Sequence, residues 1–213
     1  VSYSGINEAE LMTTVGTATD AQKADLVIDS MRFIGNGNVK GITFNDSVKY
    51  ATVINSYITG VKEYAVKDSG KSLDGVYIGN NYIEGDIKLN KDYATVKYNT
   101  VKGNVALGGN FSMVAMSNIS GNITASDKQS VSILKNTVSG TIALANGNSC
   151  AVVENTAEKI TVTGGKYCIV ENNNSAGRGN GGKPVASVTV DKNNTDHYGS
   201  NVYDQSERET VGV

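Results

Sequence analysis

The chain has 213 residues, with 19 Lys and Arg against 21 Asp and Glu, a formal net charge of −2 and a sequence pI of about 5.5. It therefore lacks the basic field that holds nucleic acid by its phosphates, and no run of ~18 apolar residues is present to span a bilayer. Gly and Asn occur 24 times each, Pro184 is the only proline and Trp is absent, which favours one large β-domain with many turns.

In chain order, residues 1–24 show no regular pattern. The run NEAELM at 7–12 predicts a helical turn or two within an N-terminal cap or connecting segment. From 25 to 195 asparagine or a stand-in returns at Asp29, Asn55, Asn81, Asn99, Ser117, Asn136, Asn155, Asn172 and Asn193, at spacings of 26, 26, 18, 18, 19, 19, 17 and 21. A repeat of this length means a stack of similar units.

The units ATVKYNTVKGNVAL (94–107), SMVAMSNISGNITA (112–125) and VSILKNTVSGTIAL (131–144) place small or apolar residues five and three positions before the ladder residue. More follow two, six and eight positions after it, as in Val101, Val105 and Leu107. Separation by two is the strand period, so each unit holds three very short strands. At ~3.3 Å per residue and ~4.8 Å between stacked strands, such a unit closes one triangular coil. The predicted fold is all-β: a single-stranded right-handed parallel β-helix with coils of roughly 18–26 residues. Its asparagine ladder would comprise Asn55, Asn81, Asn99, Asn136, Asn155 and Asn172. Asparagine suits this corner because it tolerates the left-handed region and its amide bonds along the stack. Glycine recurs at 85, 103, 121 and 140, where the bend is expected to need positive φ. The coils from Asp29 to Asn81 are longer, predicting loops near Gly35–Gly41 and Tyr64–Asp74. A glycine-rich loop at 172–183, a further strand at Ala186–Val190 and a C-terminal extension over 196–213 complete the chain.

Cys150 aligns with the inward set and Cys168 with the outward set, so two free thiols are expected, since a disulfide needs converging Cβ atoms. The outward positions four and two before the ladder residue turn apolar toward the C-terminal half: Met113 and Ala115, Ser132 and Leu134, Ala151 and Val153, Cys168 and Val170. Such a face predicts a subunit interface, or cover by a neighbouring loop or domain.

A second outward set runs through Glu84, Asp86 and Lys88, then Lys102, Asn104 and Ala106, then Ser120, Asn122 and Thr124. Small polar residues on a straight surface suit an extended chain of sugars, and Lys102, Asn104, Asn122 and Thr124 are the candidate carbohydrate-binding residues. Glu84 and Asp86 are the candidate catalytic acids, because both would project from one short strand near the ~5 Å lower limit of carboxyl separations in glycosidases. Glu154 and Glu171 would stack one coil apart, where like charges raise a pKa. The sequence AVKDSGKS at 65–72 meets a relaxed phosphate-loop pattern but has no helix expected after it, and His197 is the only histidine. No metal site and no cofactor is expected.

The ladder, the repeat and phrases such as GVYIGNNYIEG at 75–85 resemble the pectate-lyase-like right-handed β-helix superfamily, and within it the bodies of bacteriophage tailspikes. The resemblance covers roughly 24–195 and is specific for fold but not for activity, because the superfamily includes lyases, hydrolases, epimerases and inert stalks. It implies a polysaccharide ligand, a homotrimer in the full-length protein and an extracellular or virion-associated setting. A secreted polysaccharide lyase or hydrolase and a non-catalytic stalk or adhesin passenger are the alternatives. Family catalytic motifs do not carry over: Arg32, Arg178 and Arg208 stand apart, and Asn194, Thr195 and Asp196 match a polygalacturonase motif with none of its later parts.

Overall fold

The computed structural model describes residues 10–13, 24–45, 48–68, 74–175, 188–190, 198–199, 202–203 and 210–211. All their regular structure is strand, and every strand pairing is parallel. The architecture is a parallel β-helix in which each coil contributes three short segments. The first face is a nine-stranded sheet that includes Gly75–Gly79, Ala94–Lys97, Met113–Ala115, Ser132–Leu134, Ala151–Val153 and Ile169–Glu171. The second face carries Tyr57–Val61, Tyr82–Glu84, Thr100–Lys102 and Asn118–Ile119. The third carries Val66–Asp68, Ile87–Leu89, Val105–Leu107 and Ile123–Ser126. In the later coils the second and third faces merge into single strands, Thr137–Ala145 and Thr156–Thr163, with a register shift between Val138 and Thr141.

The period-two pattern sorts side chains as expected. Val76, Ile78, Ile83, Ile87 and Leu89 are buried, as are their equivalents coil after coil, and they form one continuous core. No coil could close such a core alone; each covers the next.

The ladder differs from the sequence expectation by one residue at two places. Asn81, Asn99, Asn136 and Asn155 are buried at the predicted corner, but Asn55 and Asn172 are exposed, and Ser56 and Asn173 take the buried position. In the true register the backbone N–H of each ladder residue donates to the side-chain oxygen one coil on, across 25, 25, 18, 18, 19, 19 and 18 residues from Met31 to Asn173. Each amide Nδ2 donates to backbone carbonyls of the preceding strands, as Asn136 does to Val114 at 2.9 Å and Asn155 to Ile133 at 2.8 Å. The left-handed conformation belongs to the residue just before the ladder: Asn55, Asn80, Tyr98, Met116, Lys135, Glu154 and Asn172 all have φ between 49° and 59°. Asn55 joins a separate exposed chain, donating to Asp29 at 2.9 Å and accepting from Asn80 at 2.7 Å.

This one-residue shift reassigns everything counted from Asn172. Cys168 and Val170 point inward and are buried, and Ile169 takes the outward place. Cys150 and Cys168 stack in adjacent coils with no disulfide between them, and hydrogen bonding with Cys168 draws the Cys150 thiol below its ordinary value. Glu171 lies beside Val153, while Glu154 pairs with Lys135 at 3.2 Å, so the two glutamates do not share a column.

The glycine corner also has a different cause. Of Gly85, Gly103, Gly121 and Gly140, only Gly85 has positive φ, at 132°. At Gly103 a Cβ would lie 2.5 Å from the Gly85 carbonyl oxygen, and at Gly121 it would lie 2.6 Å from that of Gly103. Close approach of stacked backbones, not left-handed geometry, excludes side chains there.

Three local expectations change. Glu10–Thr13 is a strand paired with Lys40–Thr43 and not a helical turn. The expected loop at Gly35–Gly41 lies within one long strand, Arg32–Phe44, which absorbs its extra residues by a register shift between Ile34 and Val39. Of Tyr64–Asp74, Val66–Asp68 is strand, with the Asp68 carboxylate buried and accepting the Asn90 and Lys91 N–H groups at 2.8 and 3.0 Å. Toward the C-terminus, Val188–Val190, Tyr198–Gly199, Val202–Tyr203 and Thr210–Val211 continue the parallel pairing. Asn193, Asn194 to His197 and most of the glycine-rich loop lie outside the described residues.

Candidate functional site

On the second face Tyr57 and Tyr82 occupy the same place in successive coils, and their rings stack at 4.8 Å with 7° between planes. The Arg32 guanidinium covers one end of the stack at 5.4 Å and the Lys102 ammonium the other at 5.2 Å. The ring faces are thereby used up within the protein. Glu84 belongs to this cluster: it accepts the Tyr82 hydroxyl at 2.7 Å and pairs with Lys102 at 3.1 Å. Those two hydrogen bonds, Tyr82 first, hold the Glu84 carboxyl below its ordinary range, and Tyr82 and then Glu84 hold Lys102 above its own.

Asp86 stands elsewhere. The strand Tyr82–Glu84 ends before the Gly85 bend and Asp86 precedes Ile87–Leu89, so the two carboxylates do not share a strand as the sequence suggested. Asp86 heads a second ladder: its Oδ1 accepts both the backbone N–H and the Nδ2 of Asn104, at 2.9 and 3.0 Å. Asn104 Oδ1 accepts in turn from Asn122, at 2.9 and 3.3 Å, and Asn122 Oδ1 accepts the Thr141 N–H at 2.7 Å. Lys88 closes on Asp86 at 3.6 Å. Each ladder amide has a second Nδ2 hydrogen beyond these bonds.

Beside this outer ladder, on the third face, lies a shallow groove of about 370 Å³ lined by Asn90, Ala106, Thr124, Ser126, Ala143 and Ala145. Its floor is level because successive coils present small side chains there. The structure thus puts Thr124 in the groove, the Asn104–Asn122 ladder at the corner that precedes it, and Lys102 on the neighbouring face, committed to Glu84 and Tyr82.

The sign of the pH effect at Glu84 follows from its depressed value. Its contribution is present above the ordinary carboxylate range and is lost as pH falls through the folded value. The melting temperatures of wild type and Glu84→Gln are expected to differ at pH 6 and to converge as pH is lowered below the ordinary carboxylate range. A gap that persists at low pH would contradict this ionisation.

Sequence reasoning missed the aromatic columns. Tyr57 with Tyr82, and Tyr93 with Phe111 at 5.2 Å, stack because they share a coil position, which becomes visible once the coils are aligned. Tyr93, Phe111 and Tyr167 sit at the corner that opens the first face and are exposed. Between this corner and the next the face presents Met113, Leu134, Ala151, Val153 and Ile169, so it is apolar in its central and later coils. No helix among the described residues is long and apolar enough to cross a membrane, and none of their His, Cys, Asp and Glu side chains gather in threes as for a metal. Comparison with protein-family models, curated proteins and solved structures finds no match, so the chain is placed by architecture alone, as an all-β parallel β-helix with a buried asparagine ladder.

Proposed function

We propose that this chain is a tailspike-like β-helix body that binds a bacterial surface polysaccharide along the third-face groove, in an extracellular or virion-associated setting. The observation that carries the proposal is the groove itself, an open channel with a small-residue floor beside a column of amides. Sugar hydroxyls need donors and acceptors in a row, and Asn104, Asn122 and Thr124 supply amide hydrogens and a hydroxyl at the ~4.8 Å spacing of the coils. Lys102 and Glu84 would border the bound chain from the second face.

Binding without cleavage is the reading the side chains favour. A general acid must hold a proton near neutral pH, whereas Tyr82 and Lys102 keep Glu84 ionised, and Asp86 is occupied by the Asn104 amide. A broad panel of capsular and O-antigen glycans should yield a ligand whose affinity falls at least ~10-fold with Thr124→Trp, which fills the groove, and changes little with Glu84→Gln. Absence of binding across the panel, or binding indifferent to Thr124→Trp, would overturn the assignment.

A further inference from the structure

We infer that two copies of this chain pair antiparallel through the first face, related by a twofold axis that runs along its strands between the Met113 and Ser132 coils. The pairing is independent of glycan binding, since the groove lies on another face, but it stands in place of the homotrimer that the tailspike resemblance implies. It rests on how the face is composed from coil to coil.

The first corner presents Tyr93, Phe111, Ser130 and Ser149 in successive coils, as the strand registers require. Two stacked rings are followed by two small residues, after which Tyr167 closes the notch. Such a twofold reverses the order of coils and leaves each column facing itself. Phe111 then lies over Ser130 of the second copy, and Tyr93 over its Ser149. The two-ring stack, 5.2 Å between centroids, fills a notch two coils deep at ~4.8 Å each.

The interior columns match in the same way. Met113 meets Ser132 of the second copy, a large side chain over a small one, and Leu134 of the second copy lies over the low place where Ala115 is already covered within its own chain. Charge agrees as well. Lys97, whose ammonium lies 4.7 Å from the Tyr98 ring, stands at the N-terminal end of the patch, whereas Glu154 and Glu171 stand at the other. Antiparallel pairing sets Lys97 beside Val153 and Glu154 of the second copy, twice by symmetry.

Any axis along the stack, the threefold of a tailspike included, keeps copies level coil by coil. The coil of Phe111, Met113 and Met116 would then crowd its own equivalents while the coil of Ser149 and Ala151 left space. Glu171 would also gather with its own kind, whereas Glu154 keeps its pair with Lys135 in either arrangement. Like charges and mismatched girth both disfavour that arrangement.

About five coils at ~4.8 Å, each ~7 residues wide, bury roughly 1,000 Å² in all, which suits a weak specific pair. Sedimentation equilibrium of the chain should therefore show twice its 22.4 kDa mass, with dissociation at about 1–100 μM. Ser132→Trp blocks the place of Met113 from outside the core and is expected to weaken pairing more than ~10-fold, and Lys97→Glu about 10-fold. Adding Glu154→Lys to Lys97→Glu should restore affinity to within about threefold of wild type, because only an antiparallel pair joins those residues across copies. Melting curves on each variant separate lost pairing from lost folding. A monomer at the highest concentration, a trimer, a dimer indifferent to Ser132→Trp, or a charge swap that fails to restore would each overturn the pairing. So would a monomer whose glycan binding is lost with Ser132→Trp, which would give the face to polysaccharide.

Discussion

Replacing Asn155 by alanine is expected to cost about 3–5 kcal/mol and, at ~2–4 °C per kcal/mol for a chain of this size, to lower the melting temperature by roughly 10 °C. The Asn155 side chain accepts the N–H and the Nδ2 of Asn136, both at 3.0 Å. It donates to the carbonyls of Ile133 and Val153 at 2.8 and 3.1 Å and to Asn173 at 3.1 Å. Alanine removes the acceptor of the buried Asn136 N–H and takes a donor from the Ile133 and Val153 carbonyls and from Asn173, in a corner closed to water. The same change at Asn173 should be costly, while Asn172→Gly should alter stability by less than about 0.5 kcal/mol. Asn172 is exposed with φ of 55°, and glycine adopts that conformation freely. Hydrogen exchange offers the sharper readout, since in a stack the damage concentrates in the altered coil and its neighbours. Equal losses at 172 and 173 would contradict the ladder register.

Gly121→Ala is expected to be as damaging, at about 3–5 kcal/mol. The new Cβ would lie 2.6 Å from the Gly103 carbonyl oxygen and 2.5 Å from Asn104 Oδ1. Relief requires coils to separate where Gly121 N–H donates to Gly103 at 3.0 Å and Gly140 N–H donates to Gly121 at 3.1 Å. Gly121→Asn distinguishes the two explanations for this corner. If left-handed geometry were the reason, asparagine would be tolerated better than alanine; close backbone approach makes both equally harmful. Thermal melts of the two variants beside Gly37→Asn, at a glycine with φ of 86° and nothing within 4 Å, provide the comparison.

The groove and the paired face show how far a residue pattern reaches toward function. Asn104, Asn122 and Thr124 can be assigned to one outward surface from spacing alone, yet spacing does not show that the two amides bond to each other and to Asp86. Glu84 and Asp86 look like a pair because they are two apart. The Gly85 bend separates them, and while Tyr82 shares the strand of Glu84, the partners Lys102 and Asn104 come from the next coil.

Periodicity by itself determined the coil, its three segments and the inward columns, because burial alternates along a strand and every coil must repeat its neighbour's hydrogen-bonding geometry. The tertiary structure alone decided which member of Asn55 and Ser56, and of Asn172, Asn173 and Asn174, enters the corner. Adjacent polar residues are interchangeable to a pattern, but only one of them can place its side chain against the buried N–H of the neighbouring coil. A slip of one residue reverses every side chain in the strand, which is why Cys168 and Val170 lie in the core and Ile169 faces out.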